Sequence, residues 1–397
     1  MANAFTGTGS ATLGGTSGSA GLVQQAYDRL LEFALRAEPL IRSVADKTPA
    51  RQSIPGSTVV LQRYVDLAKN TTPLTETTDP DAVALSTPTN VSITLAEYGN
   101  SVLVTRALEL FSLADVDPAI ANIIAFNLAD SIDDVAMTTL RAGTNKIFGG
   151  SATSTATVAA ASTIDSADIR KAVAKLRSNK AVGRKGSLYW AGIHPEVSHD
   201  LRAESSSGQG WLLPNQYGSS QDRIWAGEIG NYEGAYYVES ARMYNAKTGA
   251  NQTALATASA VSGASGAFTI VAANAAFGGR AEVGDKISGT NVGTDAKITA
   301  ISVGATNTTF TVDVANSGTV GTNTLTVTPV TRVYNTIICG QQAMAQAVAE
   351  EPHTVIGPVV DKLMRHRPMG WYGVLGFAIY REDALYRLET GSSIAAL

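Results

Sequence analysis

Cysteine, histidine and charge are all scarce in this 397-residue chain, and each scarcity removes a class of function. The lone Cys339 excludes an intrachain disulfide and any cysteine-based zinc site. Set beside Ile337 and Ile338, it reads as a buried, inert thiol. No apolar run reaches the roughly 18 residues of a membrane-spanning helix, so none is expected. The N-terminus lacks a charged segment followed by an apolar one, so no signal peptide is expected and the protein is read as soluble and made in the cytoplasm. Charged residues make up 16% of the chain, against about a quarter in ordinary domains. Ala, Thr, Ser and 37 glycines fill the deficit. So few charges suit a subunit whose surface is covered by partners. The net charge of −4 argues against general polyanion binding.

Two of the four histidines fall in "GIHPEVSHDLR" (192–202), with Glu196 and Asp200 among them. A helical metal pair needs histidines at i and i+4. His194 and His199 are five apart, and Pro195 reads as the helix start, which leaves His194 outside as a cap. His353 and His366 have no ligand spacing, and no G-x-S-x-G elbow is present. The glycines of residues 1–20 lack the preceding strand and the Gly-Lys-Ser/Thr of a phosphate loop. Asp130, Asp133 and Asp134 read as a solvated helix face. Between Arg170 and Lys185 lie seven Lys/Arg and no acid. A solvated face is the plain reading, and contact with an acidic neighbour or with nucleic-acid phosphates is the alternative. No aromatics interleave there for base stacking. A Lys69 attack on an asparagine such as Asn70 would need a carboxylate in an apolar pocket, which nothing in the sequence shows.

Residues 1–20 are an uncharged Gly/Ser/Thr tract that cannot bury enough surface to fold alone. Val23, Ala26, Tyr27, Leu30, Leu31 and Ala34 recur at helical spacing up to Pro39. "STVVLQRYVDL" (57–67) and "NVSITLAEYGNSVLVT" (90–105) alternate as two strands of one hairpin, joined by 22 residues rich in Thr, Pro and Asp. Hairpin loops are usually about 2–5 residues, so a loop this long is either disordered or held by another molecule. Pro73, Leu74, Val83 and Leu85 favour the second. Asp117 and Pro118 open a long helix, with a stripe of Ile120, Ile124, Leu128, Ile132, Val135 and Leu140, closed at Gly143. A basic amphipathic helix from 165, a strand over 187–193, a short helix from Pro195 and a turn into a strand at 235–240 follow. A strand at 331–338, an Ala-rich helix near 341–349 and alternating terminal strands complete the chain.

Residues 246–330 differ in composition. They hold none of the four Trp or thirteen Tyr. Short alternating runs such as "AFTIVAA", "AKITAISV" and "TTFTVDV", separated by Gly or Asn, predict a small all-β module. It interrupts strands 235–240 and 331–338, which read as partners, so an insertion is expected.

"TPLTETTDP" (72–80) resembles the Pro-Leu-Thr-Glu-Gly-x-x-Pro stretch of one subgroup of tailed-bacteriophage major capsid proteins, with Thr77 where Gly is usual. "EYGNSVLVTRAL" (97–108), "HPEVSHDLR" (194–202) and "GEIGNYEGAYYVES" (227–240) resemble other stretches of the same subgroup, in the same order. The resemblance implies an α+β, HK97-like capsid fold with an inserted small all-β domain. It assigns 1–20 to a flexible N-terminal arm, 21–56 to an N-terminal helix and the lead into the P domain, and 57–105 to the E-loop hairpin. Residues 106–187 would be the P domain with its spine helix at 117–142. The A domain would take 188–245 and 331–349, around the insert at 246–330, and 350–397 would return to the P domain. The insert itself, "VGDKISGTNVGTDAKITAISV", resembles a β module recurring in phage structural proteins and is expected to project outward.

The implied function is self-assembly into an icosahedral shell around double-stranded DNA, with no catalytic residue, cofactor or metal. Implied partners are copies of the chain in hexamers and pentamers, portal and scaffolding proteins, a decoration protein and non-specifically held DNA, with no membrane. The expected location is the virion, after synthesis in the host bacterial cytoplasm. Candidate inter-subunit contacts are Pro73, Leu74, Glu76 and Asp79 at the loop tip, and Arg365 and Arg367. The alternative is a virion decoration or tail protein whose β module binds host or glycan.

Overall fold

The computed structural model describes residues 40–49, 57–64, 66–67, 69–71, 73–74, 76–77, 83–85, 87–107, 116–203, 228–255, 258–273, 281–304, 306–358, 363 and 365–394. The arm at 1–20, the helix expected over 23–34 and Asp79 lie outside them. The chain first forms strands β1 (Asp46–Pro49), β2 (Thr58–Arg63), β3 (Thr89–Thr94) and β4 (Ala96–Thr105), helix α1 (Val116–Arg141) and β5 (Lys146–Phe148). Then come α2 (Ser166–Ser178), β6 (Tyr189–Ile193), α3 (Pro195–Ala203), β7 (Glu228–Tyr232), β8 (Ala235–Glu239) and β9 (Tyr244–Asn251). Six short strands follow: β10 (Ala258–Ser262), β11 (Thr269–Ala273), β12 (Lys286–Gly289), β13 (Ile298–Val303), β14 (Asn307–Val312) and β15 (Thr324–Thr328). The last are β16 (Val330–Cys339), β17 (Met344–Ile356), β18 (His366–Ile379) and β19 (Leu385–Thr390). Among the described residues these divide into two compact units, one of 98–129 with 352–373 and one of 37–97, 130–351 and 374–397.

The larger unit is organised by a seven-stranded sheet, ordered β5-β19-β16-β6-β8-β7, with β9 also paired to β16. Every residue of β6 is buried, because the strand is covered on both faces. Tyr189, Ala191 and Ile193 point to one side, against Ile169, Val173 and Leu176 of α2 and Val197 and Leu201 of α3. Trp190 points to the other, against Met137 and Leu140 of α1 and Ile41 and Val44 of the preceding turn. This period-2 division of one apolar strand sets the two helical layers. Helix α2 starts where its sequence places it, with Asp165 capping the Ala167 amide.

The strand order corrects one pairing. Strands β8 and β16 are not neighbours, because β6 lies between them, parallel to β8 and antiparallel to β16. A second correction concerns 341–349. The Ala-rich stretch is the start of β17, paired in parallel with β1 over Ala345–Val348. Met344, Ala345, Gln346 and Ala347 are all buried, and a residue that must be covered on both faces fits a central strand better than an amphipathic helix. Burial here overrides the helix propensity of alanine. Third, 90–105 is two strands. β3 pairs with β2 from Thr89↔Arg63 to Thr94↔Thr58, and beyond Leu95 the chain moves to β4, beside β18 in a different sheet.

Strands β10–β15 make a separate sheet ordered β12-β15-β10-β11-β14-β13. A bridge between Lys286 and Lys297 and the Ile287 amide bonded to the Ala296 carbonyl bring its two edges together. It is a small barrel. Its own core contains Ile270, Ile287, Ile298, Phe310, Val312, Leu325 and Val327. The larger unit's sheet continues into β9 and β16 up to the Asn251↔Val330 pair, so the barrel begins later and ends earlier than the composition suggests.

In the smaller unit, β17, β18 and β4 run beside one another. The Trp371 indole donates to Asn127 Oδ1 of α1 at 2.8 Å, and Asn100 Nδ2 reaches the same oxygen at 3.3 Å. A side chain at Gly99 would meet the Trp371 carbonyl at 2.8 Å, so the close strand approach requires glycine there.

Asp133 is not on a solvated face. It is fully buried and accepts the amides of Ile41 (2.6 Å) and Arg42 (2.9 Å), while Asp130 pairs with Arg242 at the surface. Burial pushes the Asp133 carboxyl up, against the lowering effect of those amides. A raised folded pKa means that the group favours folding below its ordinary carboxylate value and loses that contribution as pH rises through the folded value. Asp133→Asn is therefore expected to match or slightly exceed the wild type in thermal stability at pH 7, with the difference shrinking as pH falls. Asp133→Leu strands two buried amides and is expected to cost about 2–4 kcal/mol. Thermal unfolding of the three proteins at several pH values measures both effects.

Candidate functional site

The described residues that stand out as unfinished belong to the β2–β3 ribbon. At its base Val59, Leu61 and Ile93 pack with Ala345, Ala347 and Tyr380. Beyond the base no described residue of the connection is buried. All the described residues from Tyr64 to Thr87 are exposed, among them Tyr64 at 71%, Leu74 at 71%, Val83 at 74% and Leu85 at 75%. An isolated two-stranded ribbon is marginal in water, and aliphatic side chains this exposed along one strip mark an interaction surface. Pro73, Leu74 and Glu76 lie together on this strip. Sequence reading missed Val60, Tyr64 and Leu67, also more than half exposed. Val60 and Tyr64 share one parity in the sequence, but Leu67 does not, and the sequence does not say which side would be left open.

Arg365 and Arg367 are elsewhere, at the start of β18 in the smaller unit. The Arg365 side chain is exposed, and its carbonyl accepts the Arg106 amide at 2.9 Å. Arg367 is half-buried, with Nη2 4.0 Å from Met369 Sδ. The five described contact candidates thus fall in two places, and Asp79 lies outside the described residues.

"GIHPEVSHDLR" is built differently from a reaction centre. Gly192 lets Met243 and Trp190 close over β6, since a Cβ there would fall 2.1 Å from the Met243 methyl. His194 follows the strand, and its Nδ1 accepts the Glu196 amide at 3.3 Å at the head of α3. Its ring packs on Tyr334 with centroids 4.8 Å apart. Tyr334 donates to Glu196 Oε2, and Ser198 donates to Glu239. Asp200 accepts the amide of Ser393 at 2.9 Å and its hydroxyl, which fastens the C-terminal segment to α3. Each polar group holds a neighbouring segment in place. Among the described residues no cluster of His, Cys, Asp or Glu could hold a metal ion.

The basic stretch also divides. Arg184 is folded inward, bonding the carbonyls of Val44 and Gly340 and lying 3.3 Å from Asp46. Lys171 pairs with Asp168 at 2.9 Å, which holds its ammonium above the usual lysine value. Arg170, Lys175, Arg177, Lys180 and Lys185 face solvent. Cys339 is buried, its thiol pushed up to about 12 by desolvation.

A family model described as "Phage capsid protein" matches residues 56–384. No curated protein matches. Solved structures do. The capsid of Ralstonia phage GP4 is similar at a TM-score of 0.59 and 13% identity, over 93% of this chain and 95% of that one. The capsid of cyanophage P-SCSP1u is similar at 0.58 and 13%, over 98% of each chain. The acid-stable capsid of Helicobacter pylori bacteriophage KHP30 is similar at 0.54 and 12%, over 93% and 96%. At such identities the likeness is one of fold.

Burial holds the His194 imidazole below its ordinary value. A depressed folded pKa gives a contribution that is complete above about pH 6.5 and lost as pH falls through the folded value. His194→Gln is therefore expected to flatten the decline in stability below pH 6.5. Parallel thermal melts between about pH 7 and 4.5 test it, and an unchanged slope would count against the buried-ring account.

Proposed function

The chain belongs to the phage capsid protein family, with the HK97-like fold, as a major capsid protein that forms the shell, and from that premise we propose how its surfaces serve assembly. The β2–β3 ribbon and its long connection act as the E-loop, laid over an adjacent copy, with Pro73, Leu74, Glu76 and Asp79 at the contact. The observation that carries this is the exposure of Leu74, Val83 and Leu85 on the connection of a ribbon whose described packing lies at its base. Covering those three side chains would supply about 1.5–3 kcal/mol each before the cost of ordering, repeated at every copy.

Helix α1 serves as the spine of the P domain, which takes 106–187 and 350–397, and residues 188–245 with 331–349 serve as the A domain, from which the barrel projects outward. Arg365 and Arg367 contribute contacts from the P domain. The copies assemble as hexamers and pentamers, made in the host bacterial cytoplasm, with portal and scaffolding proteins as partners and a decoration protein on the finished shell. The DNA is held without sequence preference. The chain is not an enzyme. The polar groups of 192–202 support that reading because they are occupied in joining α3 to its neighbours. No observation favours the decoration or tail alternative.

Two deletions test the scheme. Replacing 72–82 by a short Gly-Ser bridge is expected to abolish shells in negative-stain images while circular dichroism and the melting transition stay unchanged. Shells of normal size would overturn the E-loop assignment. Replacing 252–329 by a two-residue turn between Asn251 and Val330, which are already paired, is expected to leave shells of normal diameter without their outer projections. Loss of shells would show that the barrel is needed for closure.

A further inference from the structure

The barrel leaves the main sheet through a two-stranded root, and such a root can bend and twist. Its ladder is continued by the Gln252 amide to the Pro329 carbonyl and the Leu255 amide to the Val327 carbonyl, both at 2.8 Å. A third segment, distant in sequence, returns to the same place. The knuckle Glu282–Asp285 puts Asp285 against the root, fully buried. Asp285 Oδ1 accepts Lys247 Nζ of β9 at 2.7 Å and the Val330 amide of β16 at 3.1 Å. Its Oδ2 accepts the Glu282 amide at 2.8 Å. Lys247, itself only 10% exposed, also reaches Glu282 Oε2 at 2.8 Å, and Arg332 of β16 lies 3.6 Å from the same carboxylate. Gly284 has φ +96°, and a Cβ there would stand 3.0 Å from Lys247 Cβ. The missing side chain lets the lysine stem pass.

One buried carboxylate thus binds both strands of the root and the barrel's own knuckle. Three attachment points that are not collinear remove the hinge that two would leave. We propose that Lys247 and Asp285 form a latch that fixes the barrel rigidly to the β9–β16 root, so that every copy presents the same barrel wall in the same direction. The wall so presented is uncharged: β10, β11, β14 and β15 contain no Asp, Glu, Lys or Arg. The described charged residues of the barrel lie in 282–297 and at Asp313. A buried ion pair with complete hydrogen bonding specifies geometry more than it adds stability. The array rests on the shell-forming role, whereas the latch itself does not.

The test uses the full chain in two states. In the unassembled subunit, amide exchange at Val330 is expected to be slow in the wild type and at least tenfold faster in Asp285→Ala. Lys247→Arg is expected to keep it slow. The double variant Lys247→Met with Asp285→Leu removes both charges together with the acceptor of the Val330 amide, and is expected to keep the barrel's own amides protected while loosening Val330. In assembled shells, the averaged image is expected to show barrel density as sharp as the main sheet in the wild type and blurred in the double variant. Fast exchange at Val330 in the wild type, equal protection in the double variant, or blurred wild-type barrels on ordered shells would each overturn the latch. If the wild type makes no shells, the capsid role fails, and Val330 exchange still decides the latch.

Discussion

Among the described residues, apolar side chains left exposed on the connection of the β2–β3 ribbon are the constraint around which the proposed role of this subunit is arranged. A globular chain normally buries such side chains against itself. Here Val59, Leu61 and Ile93 anchor the ribbon's base, and Leu74, Val83 and Leu85 are carried into water. In the proposed assembly an adjacent copy covers these side chains, and a low proportion of charged residues suits such a face, because covering charges carries a desolvation cost.

Several of its acids serve as ties between segments far apart in sequence. Asp133 on α1 receives the amides of Ile41 and Arg42. Asp200 on α3 holds Ser393 near the C-terminus. Asp285 joins the barrel to its root, and Glu382 receives the amide and hydroxyl of Thr144. In each case a carboxylate accepts backbone, hydroxyl or ammonium donors from a distant segment, and for Asp133 and Asp285 the acid itself is fully buried. Such contacts do less for stability than apolar burial does, but they are directional. They suit a subunit that must keep one shape through many identical contacts.

The helices and most strands were legible in the sequence, since periodicity reports which face of an element is buried. The stripe through Ile124, Ile132 and Leu140 is the buried side of α1, and "TTFTVDV" alternates as β14 does, with Phe310 and Val312 inward. The start of α3 at Pro195 could be placed by the proline itself, which left His194 outside as the cap. The errors have a common cause. Residues 341–349 look helical by composition, and their strand state follows from having β1 on one edge and β18 on the other. The sequence 90–105 alternates without a break, so nothing in it announced that Leu95 divides two sheets. Asp133 looked solvated because its partners are about ninety residues away.

Local chemistry therefore determined most of the elements, the all-β character of the segment before residue 330 and the long apolar loop, because each depends on residues near one another in the chain. Tertiary structure alone decided which strands are neighbours, which acids are buried and which face of the ribbon stays open. Those depend on what packs against each element from a distance, and a single strand carries no record of its partner's identity. The same holds for Asp285, an ordinary turn acid by sequence, which becomes a latch only when the fold brings Lys247 and Val330 to it.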